Sequence, residues 1–554
     1  MKEHLKQMKE YLKNKKALTA LSVSILVIVL YVIYPSNQNN TSIQNEEAVQ
    51  DGGKQPYGVS AAHPLAVEVG MNVLENGGNA VDAAIAVSYA LNVVEPFGSG
   101  IGGGGAMLIA PPNDQPVAYD YREVMPSTGE LPEGNVGVPG FVKGMEEIHN
   151  DFGTMDMADL IQPSIELAEY GFEANQVLTE RLENAEDQLS GDLDPFFKND
   201  EAIKPGEKVI QPELAESLTT IQEEGSSAFY EGELGESIVE EIDGLEMDDF
   251  KNYSVLEMEP VQGELDDYQI YAAPPPLAGL TLIEILHTAQ VSDIEKAREA
   301  PADYIDIMSE ISAASYQDRL RYIADMNFTN VPIQQLSSKE HAREISTDIL
   351  FEQLSKTGLK NDDSEASNED HSDTTHFVVH DSNGMMVSTT NTLSKFFGSG
   401  KNVNGMFLNN QLKNFSKDSS SPNTAEAGKR PRSFMAPTIL AKDGKPVLGI
   451  GTPGGKRIPM VMAQVIIRQL LFGENMQTAI NRPRFYVEEG TVHIEDSFSE
   501  DVEEELEDRG YQVKVRDSNL FFGGIQSLYV DHENNQLNGG ADLRRSGTWD
   551  ANTN

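Results

Sequence analysis

The chain has 554 residues and no cysteine. That excludes disulfides, thiolate nucleophiles and cysteine-ligated metals, and leaves the compartment open. Its ten histidines show no metal-ligand spacing and no H-E-x-x-H pattern, so no metal is expected. Positive charge is scarce, with 41 Lys and Arg against 89 Asp and Glu and a formal net charge of −48. Such a surface repels nucleic acid, which is excluded as a partner. Concentrated salt shortens the reach of self-repulsion to about 3 Å at 1 M, so a halophilic source is expected. There is no phosphate loop either. Gly451-Thr452-Pro453-Gly454-Gly455-Lys456-Arg457 has Ile450 where the first glycine belongs and Arg457 in place of the magnesium-binding hydroxyl.

Long apolar runs are confined to one place. Residues 1–16 carry six Lys against Glu3 and Glu10, and residues 17–34 carry no charge. A basic flank before such a run is a membrane anchor or a signal sequence. An uncleaved anchor is expected, since no A-x-A-type cleavage site follows, with the catalytic part outside the cell membrane; secretion after signal cleavage is the alternative. Residues 35–56 are rich in Asn, Gln, Ser and Gly and read as a linker.

Beyond the linker the pattern is mixed. HPLAVEVGMNVLE reads as a helix stopped by Gly77-Gly78, and Asn79 with Asp82 opens an Ala-rich helix ended by Pro96. The run Gly98–Gly105, broken only by Ser99 and Ile101, leads into the strand Ala106–Ile109 and suits close backbone approach to a ligand or another strand. Val117–Glu123 reads as a strand ending in a charged pair, in which Arg122 is a candidate carboxylate clamp. From Met155 to about Leu354 the reading is mostly long amphipathic helices with acidic, solvated faces. Val447–Ile450 is a buried strand running into Gly454-Gly455, whose N–H groups can face a developing oxyanion.

One stretch organises the rest. An acidic, nearly apolar-free run from Asn361 to Asp373 meets Thr374-Thr375-His376-Phe377-Val378-Val379, and a second β-rich run follows Asn383-Gly384. That is a hairpin signal. If the Asp373–Thr374 bond is cut, Thr374 gains a free α-amine of reference pKa about 8 beside its hydroxyl, a base and a nucleophile in one residue. On these residues alone, an edge hairpin after a loop is the alternative.

Eight motifs agree in order with a known family: NGGNAVDAA, SGIGGGGAML, DYRE, GVPG, TTHF, NTLSKFFG, LNNQ and TPGGKR. Over Tyr57 to Trp549 the chain resembles the γ-glutamyltransferases, N-terminal-nucleophile enzymes that cut themselves into two subunits. The resemblance implies an α+β fold, a four-layer αββα sandwich built by a large subunit (57–373) and a small catalytic one (374–554) paired as a heterodimer. It implies that Thr374 is the nucleophile of both self-cleavage and catalysis, that Thr392 assists it, and that Gly454 and Gly455 form the oxyanion hole. Arg122, Gln411 and Ser433 would hold the amino-acid end of the donor. No cofactor is implied; the acceptor is water or an amine.

Two positions depart from the pattern for glutathione-type substrates. Ser394 stands where an Asn is usual, and Asn414 where an acidic residue pairs with the donor's free α-ammonium. An uncharged Asn suits an acylated nitrogen, as inside a γ-linked glutamate polymer. The wording of NTLSKFFG, LNNQLKNF, GKRPRSFMAPT and RRSGTW is similar to the capsule-depolymerase (CapD-type) branch, which makes Arg457 and Arg545 candidates for the polymer's carboxylates. Poly-γ-glutamate is the expected donor, glutathione and small γ-glutamyl compounds the alternative, and an inactive membrane-tethered binding protein a second.

Overall fold

A computed structural model describes residues 55–355 and 372–552, apart from positions 192, 489, 517 and 518. The basic segment, the apolar run 17–34, nearly all of the linker and the acidic run up to His371 lie outside the described residues. Among the described residues no helix is long and apolar enough to cross a membrane.

Two antiparallel sheets carry the fold. Their strands, in chain order, are β1 (Tyr57–Ala61), β2 (Gly104–Ala110), β3 (Val117–Asp120), β4 (Leu256–Met258), β5 (Val261–Leu265), β6 (Tyr268–Ala272), β7 (Ser372–His380), β8 (Met386–Lys395), β9 (Thr438–Lys442), β10 (Lys445–Gly451), β11 (Gln526–Asp531), β12 (Gln536–Ala541) and β13 (Thr548–Asn552). The first sheet runs β13-β1-β7-β8-β2-β3-β4 and the second β12-β11-β10-β9-β6-β5. Three strands, β4 to β6, occupy a stretch that reads as helical in sequence. There the burial alternates residue by residue, as along Val261–Leu265, and the acidic residues are the outward half of a period of two.

Helices cover both outer faces. The principal ones are α1 (Pro64–Glu75), α2 (Ala80–Val94), α3 (Phe141–Phe152), α4 (Gly279–Val291), α5 (Pro301–Tyr322), α6 (Lys339–Ser355) and α7 (Ile458–Ile466). The expected capping box opens α2: Asn79 accepts from the N–H groups of Val81 and Asp82, and Asp82 accepts from Asn79 N–H. All fifteen residues of α2 are buried, which its small alanines permit.

The parity of β7 shows the layering. Phe377 and Val379 join Ile85, Val87 and Met145 of the helices in one core. Val378 instead joins Ile439, Leu528 and Val530 of the second sheet. A third core packs α4, α5 and α7 on Leu440, Leu448 and Ile450. Helix, sheet, sheet, helix is the four-layer αββα sandwich.

Candidate active site

The hairpin β7–β8 lies in the middle of the seven-stranded sheet, not at its edge. Thr374 therefore has neighbours on all sides. Its register partner is Thr392, and the two Oγ1 atoms are 3.2 Å apart. Both residues share the face that carries Val378, turned toward the second sheet. The strand continues back through Asp373, so the nitrogen of Thr374 is here a peptide nitrogen.

The register slips between Asp373 and Thr374. Asp373 faces Ser394 while Thr374 faces Thr392, leaving Leu393 as a bulged residue. Leu393 N–H turns instead to Gly98 O at 3.3 Å. Ser394 adopts φ 82°, a left-handed conformation that costs a serine on the order of 1 kcal/mol. Its N–H donates to Thr392 Oγ1 at 2.8 Å, which fixes the hydroxyl that faces Thr374. The glycine run lets β2 pack this closely: a Cβ on Gly103 would sit 2.4 Å from Thr392 O.

The rest of the hairpin's polar face is tied down. His376 Nδ1 and Thr390 Oγ1 share a hydrogen bond of 2.8 Å, and the His376 ring lies flat on Gly451, where no side chain would fit. Burial pulls the His376 pKa down to about 3, so it is a neutral spacer between the sheets and carries no charge to Thr374. On the opposite face Thr375 donates to Glu95 Oε2 at 2.7 Å.

The turn Gly455–Arg457, which links β10 to α7, packs against β7. Gly454 has φ 139° and Gly455 φ 56°, conformations that favour glycine and can turn successive N–H groups to one side.

The turn Gln411–Asn414 lies against β8. Two further asparagines, which the sequence reading did not single out although both lie within LNNQ, hold it there. Asn409 donates to Gly102 O and Gly137 O and accepts from Gly137 N–H. Asn410 accepts from Lys395 N–H at 3.1 Å. Gln411 is buried, and Asn414 is half-buried with its backbone oxygen accepting from Asn423.

Arg122 follows β3, which ends at Asp120, short of the charged pair expected within the strand. Its Nε and Nη2 donate to Asp120 at 3.0 and 2.6 Å, and Nη1 donates to Pro431 O at 2.7 Å. The bidentate edge thus grips an internal carboxylate. Arg430 lies 3.7 Å from the same Asp120. Burial pushes the Asp120 carboxyl up, but Arg122 and Arg430 outweigh it and hold it below the usual range. Next along, Glu123 is fully buried with neither oxygen hydrogen-bonded, and burial raises its pKa to about 8. Two guanidinium groups thus meet Asp120, and the Arg430 backbone N–H also donates to the buried Asp325 carboxylate at 2.9 Å. Ser433 belongs to the same neighbourhood: its carbonyl accepts from Arg319 Nη2 at 2.7 Å, and its N–H donates to Pro276 O.

Arg457 and Arg545 are not surface charges. They are 2% and 4% exposed. The Arg457 guanidinium stacks 4.2 Å from the centre of the Phe521 ring, and Arg545 donates to Leu520 O while covering Gly524. Both brace the segment around residues 520–524. Planar guanidinium stacking on an aromatic ring explains why Arg457 is inside.

The family profile described as gamma-glutamyltranspeptidase matches residues 66–551. The chain belongs to the gamma-glutamyltranspeptidase family. The capsule biosynthesis protein CapD proenzyme of Bacillus anthracis is 44% identical over 503 residues, 90% of this chain and 92% of that protein. The glutathione hydrolase proenzyme of Bacillus subtilis is 34% identical over 573 residues, 96% of this chain and 97% of that protein. The crystal structure of cephalosporin acylase from Bacillus halodurans superimposes with a TM-score of 0.79 at 25% identity, covering 94% of this chain and 99% of that one. As a gamma-glutamyltranspeptidase of the Ntn-hydrolase type, the protein is an enzyme of γ-glutamyl transfer or hydrolysis.

Proposed function

We propose that this enzyme activates itself by cutting before Thr374 and then acts on poly-γ-glutamate, passing the fragment to water or to an amine. The observation that carries the chemistry is the 3.2 Å contact between Thr374 Oγ1 and Thr392 Oγ1, set opposite a bulge at the bond to be broken.

In the uncut chain the Thr374 oxygen attacks the Asp373 carbonyl carbon. The C–N bond breaks as the C–O bond of an ester forms, and the nitrogen leaves as an amine. Water then hydrolyses the ester. The freed amine supplies the base that a peptide nitrogen cannot. In the mature enzyme Thr374 gives its proton to that amine as its oxygen attacks a γ-glutamyl carbonyl. The N–H groups of Gly454 and Gly455 would hold the oxyanion, a role worth about 3 kcal/mol per donor. The leaving amide nitrogen takes the proton, and water or an amine then releases the acyl group.

The preference for the polymer rests on charge. Asn414, beside the end of β8, cannot form an ion pair with a free α-ammonium, but can bond an acylated nitrogen. The guanidinium groups of Arg122 and Arg430, gathered in one place, suit a donor bearing carboxylates. The similarity to a capsule biosynthesis protein points the same way. A capsular polymer would place the enzyme outside the cell, held by residues 17–34.

Matched kinetics with poly-γ-glutamate and glutathione test the reading. A kcat/KM at least tenfold higher on the polymer is expected, and Asn414→Asp should shift the ratio toward glutathione. Equal or greater efficiency on glutathione would reject the polymer and leave the family chemistry intact.

A further inference from the structure

The helices outside the second sheet hold a cluster that γ-glutamyl transfer does not use. Glu284 of α4, Asp318 of α5 and His341 of α6 bring one ligand atom each to within 4.8 Å of one another. His341 Nε2 lies 2.7 Å from Asp318 Oδ2. Glu284 is 2% exposed, inside a helix whose residues from Gly279 to Ala289 are all buried, and its Oε1 has no hydrogen-bond partner. A buried carboxylate costs several kcal/mol unless something pairs with it.

We propose that Glu284, Asp318 and His341 bind a divalent transition-metal ion, Zn²⁺ or Mn²⁺, that pins the three helices together. Two carboxylates neutralise the ion's charge, and the imidazole selects against Mg²⁺ and Ca²⁺, which prefer oxygen ligands. Bonds of about 2.1 Å in tetrahedral geometry put ligand atoms about 3.4 Å apart, so an ion would part His341 Nε2 and Asp318 Oδ2 by somewhat under 1 Å from their 2.7 Å contact. The orientation of His341 agrees: Nε2 faces the cluster, 2.7 Å from Asp318 Oδ2, and Nδ1 lies on the ring's other side, 3.6 Å from the Glu344 carboxylate. The clamp sits one residue from Arg319, whose side chain holds the Ser433 carbonyl, so it also steadies the segment from Arg430 to Phe434.

The test is titration of the EDTA-treated, dialysed full-length protein with ZnCl2 or MnCl2. Calorimetry, bound-metal analysis and thermal melts are read for wild type, Glu284→Gln and His341→Asn. The site predicts one tightly held ion per chain, a rise in Tm of several degrees in wild type, and affinity more than tenfold weaker with no rise in Tm in either variant. Circular dichroism verifies that each variant is folded; should Glu284→Gln misfold, His341→Asn serves alone. The proposal is overturned if wild type holds no stoichiometric ion, or if both variants bind as tightly, which would assign the metal to the acidic surface.

Discussion

Two buried arginine–carboxylate clusters among the described residues are alike in construction and differ in how fully their members are paired. Behind the segment 522–525, Arg484 pairs with Asp542 at 2.6 Å, while Arg544 pairs with Asp542 at 3.1 Å and with Glu495 at 2.5 Å. Two arginines meet two carboxylates, and Asp542 also accepts from Ile525 N–H. This cluster is closed: it knits Arg484, Phe522 and the chain after β12 into one block. Beside the hairpin, Arg122 and Arg430 share Asp120, the Arg430 backbone N–H donates to Asp325, and Glu123 is kept neutral by burial up to about pH 8. That cluster is open: both Glu123 oxygens are buried without a hydrogen-bond partner. Full pairing makes a buried cluster structural, and an unpaired titratable member makes it responsive to pH.

Breaking the closed cluster should have the largest effect on stability. Asp542→Asn leaves two buried guanidinium groups short of charge and should lower unfolding free energy by about 3 to 5 kcal/mol, measured by urea denaturation. The corresponding change in the open cluster should appear in function. Arg122→Lys removes a bidentate grip, yet Arg430 still compensates Asp120. KM for a γ-glutamyl donor should rise about ten- to a hundredfold, with kcat and the urea midpoint changing less. Equal losses of stability in the two variants would erase the distinction.

Glu123 sharpens it through pH. Its folded pKa is raised, from 4.5 to about 8. The stability associated with its protonated form is therefore complete below about pH 4.5 and lost as pH rises through 8. Ionisation above pH 8 also adds a negative charge next to Arg122, so KM for a donor bearing carboxylates should climb there. Glu123→Gln should flatten both profiles, and unchanged profiles in that variant would show that Glu123 does not titrate in this range. The smallest effect concerns the strain beside the open cluster. Ser394→Gly relieves the left-handed φ and should stabilise the fold by about 1 kcal/mol or less in thermal melts.

Local signals gave the sequence reading its accuracy. The capping box at Asn79, the stop at Gly77 and the hairpin around Asn383-Gly384 are each written within a few residues. The hairpin also carried the key pairing, because two strands joined by a short turn place Thr374 opposite Thr392. What escaped depends on distant partners. The strands β4 to β6 were hidden because an acidic outward half of a strand and an acidic helix face have similar compositions. The partners of Arg457 and Arg545 are not legible in sequence because Phe521, Leu520 and Gly524 lie far along the chain from the arginine each one meets. Arg122 read as a carboxylate clamp, and the carboxylate it grips stands two residues before it. Glu284 and His341 gave no metal pattern because three separate helices bring them together.

The most direct test of the central claim is the intact mass of the purified protein, with N-terminal sequencing of its smaller fragment. The account predicts two fragments, the smaller beginning at Thr374, and a single uncut, inactive chain for Thr374→Ala. A wild-type chain that stays whole while consuming γ-glutamyl amides at full rate would contradict it.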